Sequence, residues 1–151
     1  MDKREENIVE AAIRLFSRYG VKRASMNDIA EEAGIARQTL YNAFSNKDEV
    51  LKATLRLFAD RAAADIEAAL DRKPALAERL DAVFTHIAIK PYELLHASPN
   101  AMDIIEGFNT AGQEEIASIN ERFRTLITGI LMPYETALTK EGLTAAELAV
   151  T

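Results

Sequence analysis

Apolar residues along this chain recur at i, i+3 and i+4 almost without interruption, and Val/Ile/Thr runs alternating with a period of two are missing. That pattern predicts helices throughout. Ile8, Ala12, Leu15 and Tyr19 form one stripe with Val9, Ile13 and Phe16 beside it, and Gly20 is placed to stop this first helix. Ser25 with Asp28 three residues on reads as a capping box. The short helix it opens buries Ile29, Ala30 and Ala33, and Gly34 ends it where a left-handed turn needs no Cβ. A third helix is expected over 36–44. Asn46 then caps a long helix over 47–71, with Glu49 closing a second capping box, and Lys73-Pro74 breaks it. One face of that helix carries Leu51, Leu55, Phe58, Ala62, Ile66 and Ala69.

Beyond Pro74 the period persists. Leu76, Leu80, Val83, Phe84 and Ile87 make one inward face, with an interruption expected at Lys90-Pro91 and a brief turn of helix at 92–96. Ser98-Pro99 is expected to start the next helix, since serine caps and proline suits the first helical position. A break at 109–112 precedes a helix with Ile116, Ile119, Phe123, Leu126, Ile127 and Ile130 inward, kinked by Pro133. Gly142 reads as a C-cap and Thr144 with Glu147 as a last capping box. The helix that box opens has about seven residues, too few for one expected to stand alone. Either that short helix docks on the body or the chain is the front part of something longer, and the second is the expectation.

The totals narrow the class. A chain of 151 residues suffices for a compact core without staples, and there are no cysteines to form disulfides or thiolate metal sites. No run of eighteen apolar residues exists and the N-terminus is charged, so the expectation is a cytoplasmic protein without membrane contact. The net charge of −6 hides a split. Residues 1–52 hold nine basic and nine acidic residues, whereas 53–151 hold nine and fifteen. Within 14–47 there are six cations, Arg14, Arg18, Lys22, Arg23, Arg37 and Lys47, against Asp28, Glu31 and Glu32. A locally basic head on an acidic body is compatible with nucleic acid as a partner.

The third helix carries the candidate chemistry. Ala36, Leu40, Ala43 and Phe44 are expected on its packed side, leaving Arg37, Gln38, Tyr41 and Asn42 outward with Thr39 at the flank. Two short helices joined by a tight glycine turn, the second presenting such a face, describe a helix-turn-helix. Arg37 suits guanine, Gln38 and Asn42 suit adenine, and Thr39 suits the thymine methyl or a phosphate. Tyr41 is a phosphate donor. An arginine in a first helical turn opposes the helix dipole, which an external anion would relieve. The same holds for Lys47 at the start of the fourth helix, and Ser25 and Asn27 at the start of the second can meet a phosphate backbone. The competing reading is an ordinary solvated face, against which residue types, turn glycine and cation placement agree.

The stretch "ASMNDIAEEAGIARQTLYNAFSNKDEVL" resembles the DNA-binding signature of the TetR (tetracycline-repressor) family of bacterial transcriptional regulators. The likeness covers roughly residues 8–52 and rests on Asp28-Ile29-Ala30, Ala33-Gly34, Thr39-Leu40-Tyr41, Phe44 and Lys47. It implies an all-α homodimer with an N-terminal helix-turn-helix head, here 1–46, and a helical ligand-binding and dimerisation body, here 47–151 and incomplete at its C-terminal end. It also implies operator contacts from Arg37, Gln38, Thr39, Tyr41 and Asn42, and a phosphate contact from Lys47. Family members usually carry serine or threonine where this chain has Ala36, so its third helix lacks that cap.

For the body the resemblance implies a pocket for a small-molecule inducer. Phe84, Ile87, Met102, Phe108, Phe123 and Ile127 are candidate lining residues, with His86, Asn109 and Asn120 as polar anchors, although such residues at helical spacing also serve as plain core. His86 and His96 lack a metal-ligand pattern, no nucleophile motif is present, and neither a cofactor nor an enzymatic activity is expected. The expectation is a repressor released from its operator by a ligand. Its rivals are a DNA-binding protein of this fold controlled by a protein partner, and a helical protein–protein interaction module.

Overall fold

The computed structural model describes residues 1–150, and among them there is no strand. Helix α1 (Lys3–Tyr19), α2 (Met26–Ala33) and α3 (Arg37–Ala43) form the head. Helix α4 (Lys47–Leu70) follows, then α5 (Leu76–Phe84), a π-helical turn (Thr85–Ile89) and α6 (Lys90–His96). Helix α7 (Ala101–Ala111) and α8 (Gln113–Leu131) lead through a 3₁₀ turn (Met132–Tyr134) to α9 (Glu135–Lys140) and α10 (Ala145–Val150).

The local signals explain most boundaries. Asp2 caps α1 in a full capping box with Glu5. The box at Ser25 and Asp28 is present, and Gly34 takes the left-handed conformation at φ 67° and ψ 34°, where a Cβ would be strained. Thr144 and Glu147 close the last box, each bonding the other's backbone N–H. The second expected box is only half formed. Asn46 accepts the Glu49 N–H, but the Glu49 carboxylate reaches forward to Lys52 instead of back.

Two apolar clusters share α4. Its first half places Val50, Leu51, Ala53 and Leu57 in a core with Ile8, Val9, Leu15, Phe16, Ile29, Leu40, Phe44 and Ile104. Its second half places Ala62 and Ile66 against Val83, Phe123 and Ile130, with Leu76, Leu80, Ile87, Ile119, Leu126 and Ile127 around them. Each fully buried aliphatic side chain contributes roughly 1.5–3 kcal/mol. The expected boundary at residue 46 thus marks the start of α4, while the head's core runs on into that helix and on to α7.

Three sequence expectations need correction. Lys90-Pro91 does not interrupt the helix. The N–H of Lys90 bonds the carbonyl of Thr85, five residues back, and this wider turn admits the proline into the next helix's first turn. Phe84, expected inward, is exposed where that π turn begins. Ser98 does not cap α7, which starts at Ala101. Its hydroxyl accepts the Asn100 N–H and donates to the carbonyl of Ser17 at the end of α1.

Candidate nucleic-acid interface

Helix α3 is held by two side chains. Leu40 is completely buried and Phe44, just past its end, nearly so, which fixes the rotation of the helix. Ala36 stands at the N-cap with an extended backbone, but it offers no oxygen to the first N–H groups and is itself exposed rather than packed. Arg37, Gln38, Tyr41 and Asn42 are exposed and Thr39 is half-buried, as the spacing predicts. The Arg37 guanidinium lies over the Tyr41 ring at 5.4 Å from its centroid. Gln38 Nε2 donates to Asn42 Oδ1 at 2.9 Å. Both pairs are one helical turn apart, the spacing at which side chains on a helix surface meet.

The flanking residues are more engaged than their spacing suggests. The Ser25 hydroxyl accepts the Asp28 N–H at 3.1 Å and donates to the Asp28 carboxylate at 2.6 Å. Those hydrogen bonds, first the hydroxyl and then the Ser25 N–H, hold the Asp28 carboxyl below its usual range. Asn27 Nδ2 meets Glu31 at 3.3 Å. The Lys47 ammonium donates to the carbonyls of Val21 at 2.6 Å and Ala24 at 2.9 Å, which leaves one N–H of three. Among the basic residues near the head, Arg14 pairs with Glu32 at 2.7 Å and Lys22 with Glu106 at 2.8 Å. Arg18, Arg23 and Arg37 make no ion pair within 4 Å among the described residues, and the first two line a groove of about 530 Å³ between α1 and α2.

Two contacts that orient the head escaped sequence reasoning. Asn7 Nδ2 donates to the carbonyl of Ala33 at 3.0 Å, and Arg14 bridges to α2 through Glu32. Both span more than fifteen residues, so no local spacing announces them. The Arg14 guanidinium also draws the Glu32 carboxyl below its usual range.

The expected ligand residues do not share one lining. Phe123 is buried in the second cluster with Ile87 and Ile127 packed on it, whereas Phe108 packs on the head's core. Met102 is 77% exposed, and Asn109 and Asn120 are exposed. His86 Nδ1 lies 3.2 Å from Asp65 Oδ2 and 3.3 Å from Lys90 Nζ, so its first partners are within the fold. A cleft of about 360 Å³ opens instead between α4 and α8, beside Arg56, Asp60, Glu115, Ser118 and Arg122. Its ion pairs, Arg56–Glu115 and Arg122–Asp60, are 2.9 and 2.8 Å long. No group of three or more His, Cys, Asp or Glu among the described residues could hold a metal ion. No described helix is long and apolar enough to cross a membrane.

Residues 8–54 match the family model described as bacterial regulatory proteins, tetR family. Over that stretch, which is the head and the start of α4, the chain is similar to the TetR family. This is a regulatory rather than an enzymatic family. The transcriptional regulator BetI of Agrobacterium fabrum is 31% identical over 87 residues, which are 58% of this chain and 42% of that protein. The transcriptional repressor KstR2 of Mycolicibacterium smegmatis is 30% identical over 81 residues, 54% of this chain and 40% of that one. These matches span less than half the length of either relative. A putative transcriptional regulator from Pseudomonas aeruginosa PAO1 superposes with a TM-score of 0.65 at 23% identity, covering 97% of this chain and 72% of that one. That likeness is one of fold, and it extends the resemblance from the TetR head through the helical body.

Proposed function

We propose that the chain reads DNA as a cytoplasmic, ligand-responsive transcriptional repressor that works as a homodimer. The observation that carries this reading is the α3 surface, where Leu40 and Phe44 anchor the helix while Arg37, Gln38, Tyr41 and Asn42 face outward. Such a helix lies in the major groove, and two copies on a dimer meet half-sites about 34–36 Å apart. Arg37 has the donors for guanine O6 and N7, and Gln38 and Asn42 have the amides for adenine. Thr39 reaches a thymine methyl or phosphate from the flank. Ser25, Asn27, Tyr41 and the remaining Lys47 N–H serve the phosphates, together with the unpaired Arg18 and Arg23. The family relatives named as regulators and repressors support the direction of control.

The reading of release by a small molecule is supported by α4 contributing to both cores. A ligand that prefers one setting of the body shifts the head by as much as its differential affinity permits, and operator and ligand then weaken each other equally. The test is selection of bound fragments from a random DNA pool at two salt concentrations. Enrichment of a palindrome with half-sites one turn apart is expected. Binding that vanishes with salt and leaves no enriched sequence would sink the reading.

A further inference from the structure

The α1–α2 connection is gripped from two sides. From the head side, Lys47 at the start of α4 holds the carbonyls of Val21 and Ala24. From the body side, the segment leading into α7 holds the end of α1, where the Ser17 carbonyl accepts from Ser98 Oγ at 2.9 Å and Asn100 Nδ2 at 3.1 Å. One turn further along α7, Asp103 Oδ2 accepts the Lys22 backbone N–H at 3.1 Å. Gly107, another turn on, lies flat on Val21 and Leu51, where a Cβ would come within 3.2 Å of either side chain.

The Asp103 carboxylate is the centre of this contact. A Cβ at Gly20 would collide with it, so the glycine is required by its neighbour as well as by its φ of 85°. Its Oδ1 is buried with no hydrogen-bond partner, and the Lys22 ammonium, bonded to Glu106, stands 3.9 Å away. A buried acceptor left in that state costs free energy, and the position holds it against Lys22 and Gly20.

We infer that Asp103 is a positioning residue for the DNA-reading head: through the Lys22 N–H it sets the 20–24 connection, and Lys47 passes that setting to α4 and the start of α2. The body then reaches α3 by way of α7 as well as along α4. This deepens the regulator reading and rests on it for its meaning, but the deciding measurement needs no DNA.

The experiment is amide hydrogen exchange of the 1–151 chain, wild type against Asp103→Ala and Asp103→Asn. Asparagine keeps an oxygen for the Lys22 N–H and alanine does not. Asp103→Ala should speed exchange across 26–43, residues it does not touch, by about fivefold, the factor that loss of one hydrogen bond implies. Asp103→Asn should restore wild-type exchange there, and exchange within 116–131 should stay unchanged in both. If Asp103→Ala leaves 26–43 at the wild-type rate, or slows or speeds the body equally, the inference falls. Should Asp103→Ala not fold, the Ser98→Ala/Asn100→Ala chain removes the neighbouring bonds to Ser17, and the same acceleration over 26–43 is required of it. A second arm adds the enriched DNA fragment: in wild type it should change exchange at 101–107, and in Asp103→Ala it should bind without doing so. A fragment that binds wild type without changing 101–107 also overturns the inference. Absence of any bound fragment would count against the regulator reading and leave the first arm to judge Asp103.

Discussion

The Lys47 ammonium is bonded to the backbone carbonyl of Val21 at 2.6 Å, twenty-six residues earlier in the chain. With the second bond to Ala24, this side chain closes the α1–α2 connection onto the start of α4. Lys47→Ala should therefore lower the free energy of unfolding by about 2 kcal/mol, since hydrogen bonds from charged groups are worth more than neutral ones. It should also weaken binding to every DNA sequence alike and flatten the salt dependence by about one unit. Denaturant melts and binding at several salt concentrations separate the two effects. A change in stability with an unchanged salt slope would make Lys47 a staple and nothing else.

Arg37 offers the converse case. It is exposed with its guanidinium over the Tyr41 ring, so Arg37→Ala should move stability by less than about 0.5 kcal/mol. Its effect should appear as a loss of about 1–3 kcal/mol of discrimination at a single base position. Repeating the DNA selection with this variant checks it, and a uniform loss across all positions would assign Arg37 to phosphate.

Leu40 is completely buried at the base of the reading face. Leu40→Ala should cost about 2–5 kcal/mol, read from the denaturant midpoint. Specific binding should fall with it, although no outward residue has changed.

Ala36 has the extended backbone of an N-cap at φ −67° and ψ 145° but no oxygen to use. Ala36→Ser should raise stability by about 0.5–2 kcal/mol by bonding a free N–H of the first turn. A thermal melt decides it. An unchanged midpoint would mean that solvent already satisfies those groups.

Asp28 gives the acid limit of the head. Its carboxyl is held below the ordinary range by the Ser25 hydroxyl and backbone N–H. A lowered folded value means the unfolded chain takes up the proton first. Its contribution is therefore whole above the unfolded value of about 3.9 and fades as pH falls through the lower folded one. Glu32, lowered by Arg14, behaves alike. Acid titration of stability should lose part of its slope in Asp28→Asn below about pH 4. An identical profile in both proteins would refute the assignment.

The elements legible in the sequence were those written in local chemistry. The capping pairs Ser25–Asp28 and Thr144–Glu147, the left-handed Gly34 and the outward quartet of α3 need only residues a few positions apart. What escaped depends on distant partners. Lys47 reads as a free cation until the carbonyls of Val21 and Ala24 are brought to it, and Ser98 reads as a cap until Ser17 is. Met102 and Phe108 have the composition of a pocket lining, but α7 lies along the head, leaving one in solvent and the other on the head's core. Periodicity gives the face of a helix and not which of two cores it meets.

The π turn at Thr85–Ile89 has a bearing on how this chain can tolerate length changes. Before it, Leu76, Leu80 and Val83 serve the body cluster; after it, Leu95 packs on the head. A five-residue bond loop is an α-helix carrying one surplus residue, and each residue turns the axis by about 100°. Removing a single residue there would leave an uninterrupted helix of good geometry with Leu95 swung away from its core. The segment 85–89 thus acts as a phase adjuster, and a deletion that looks harmless by secondary structure would unseat the contact between α6 and the head.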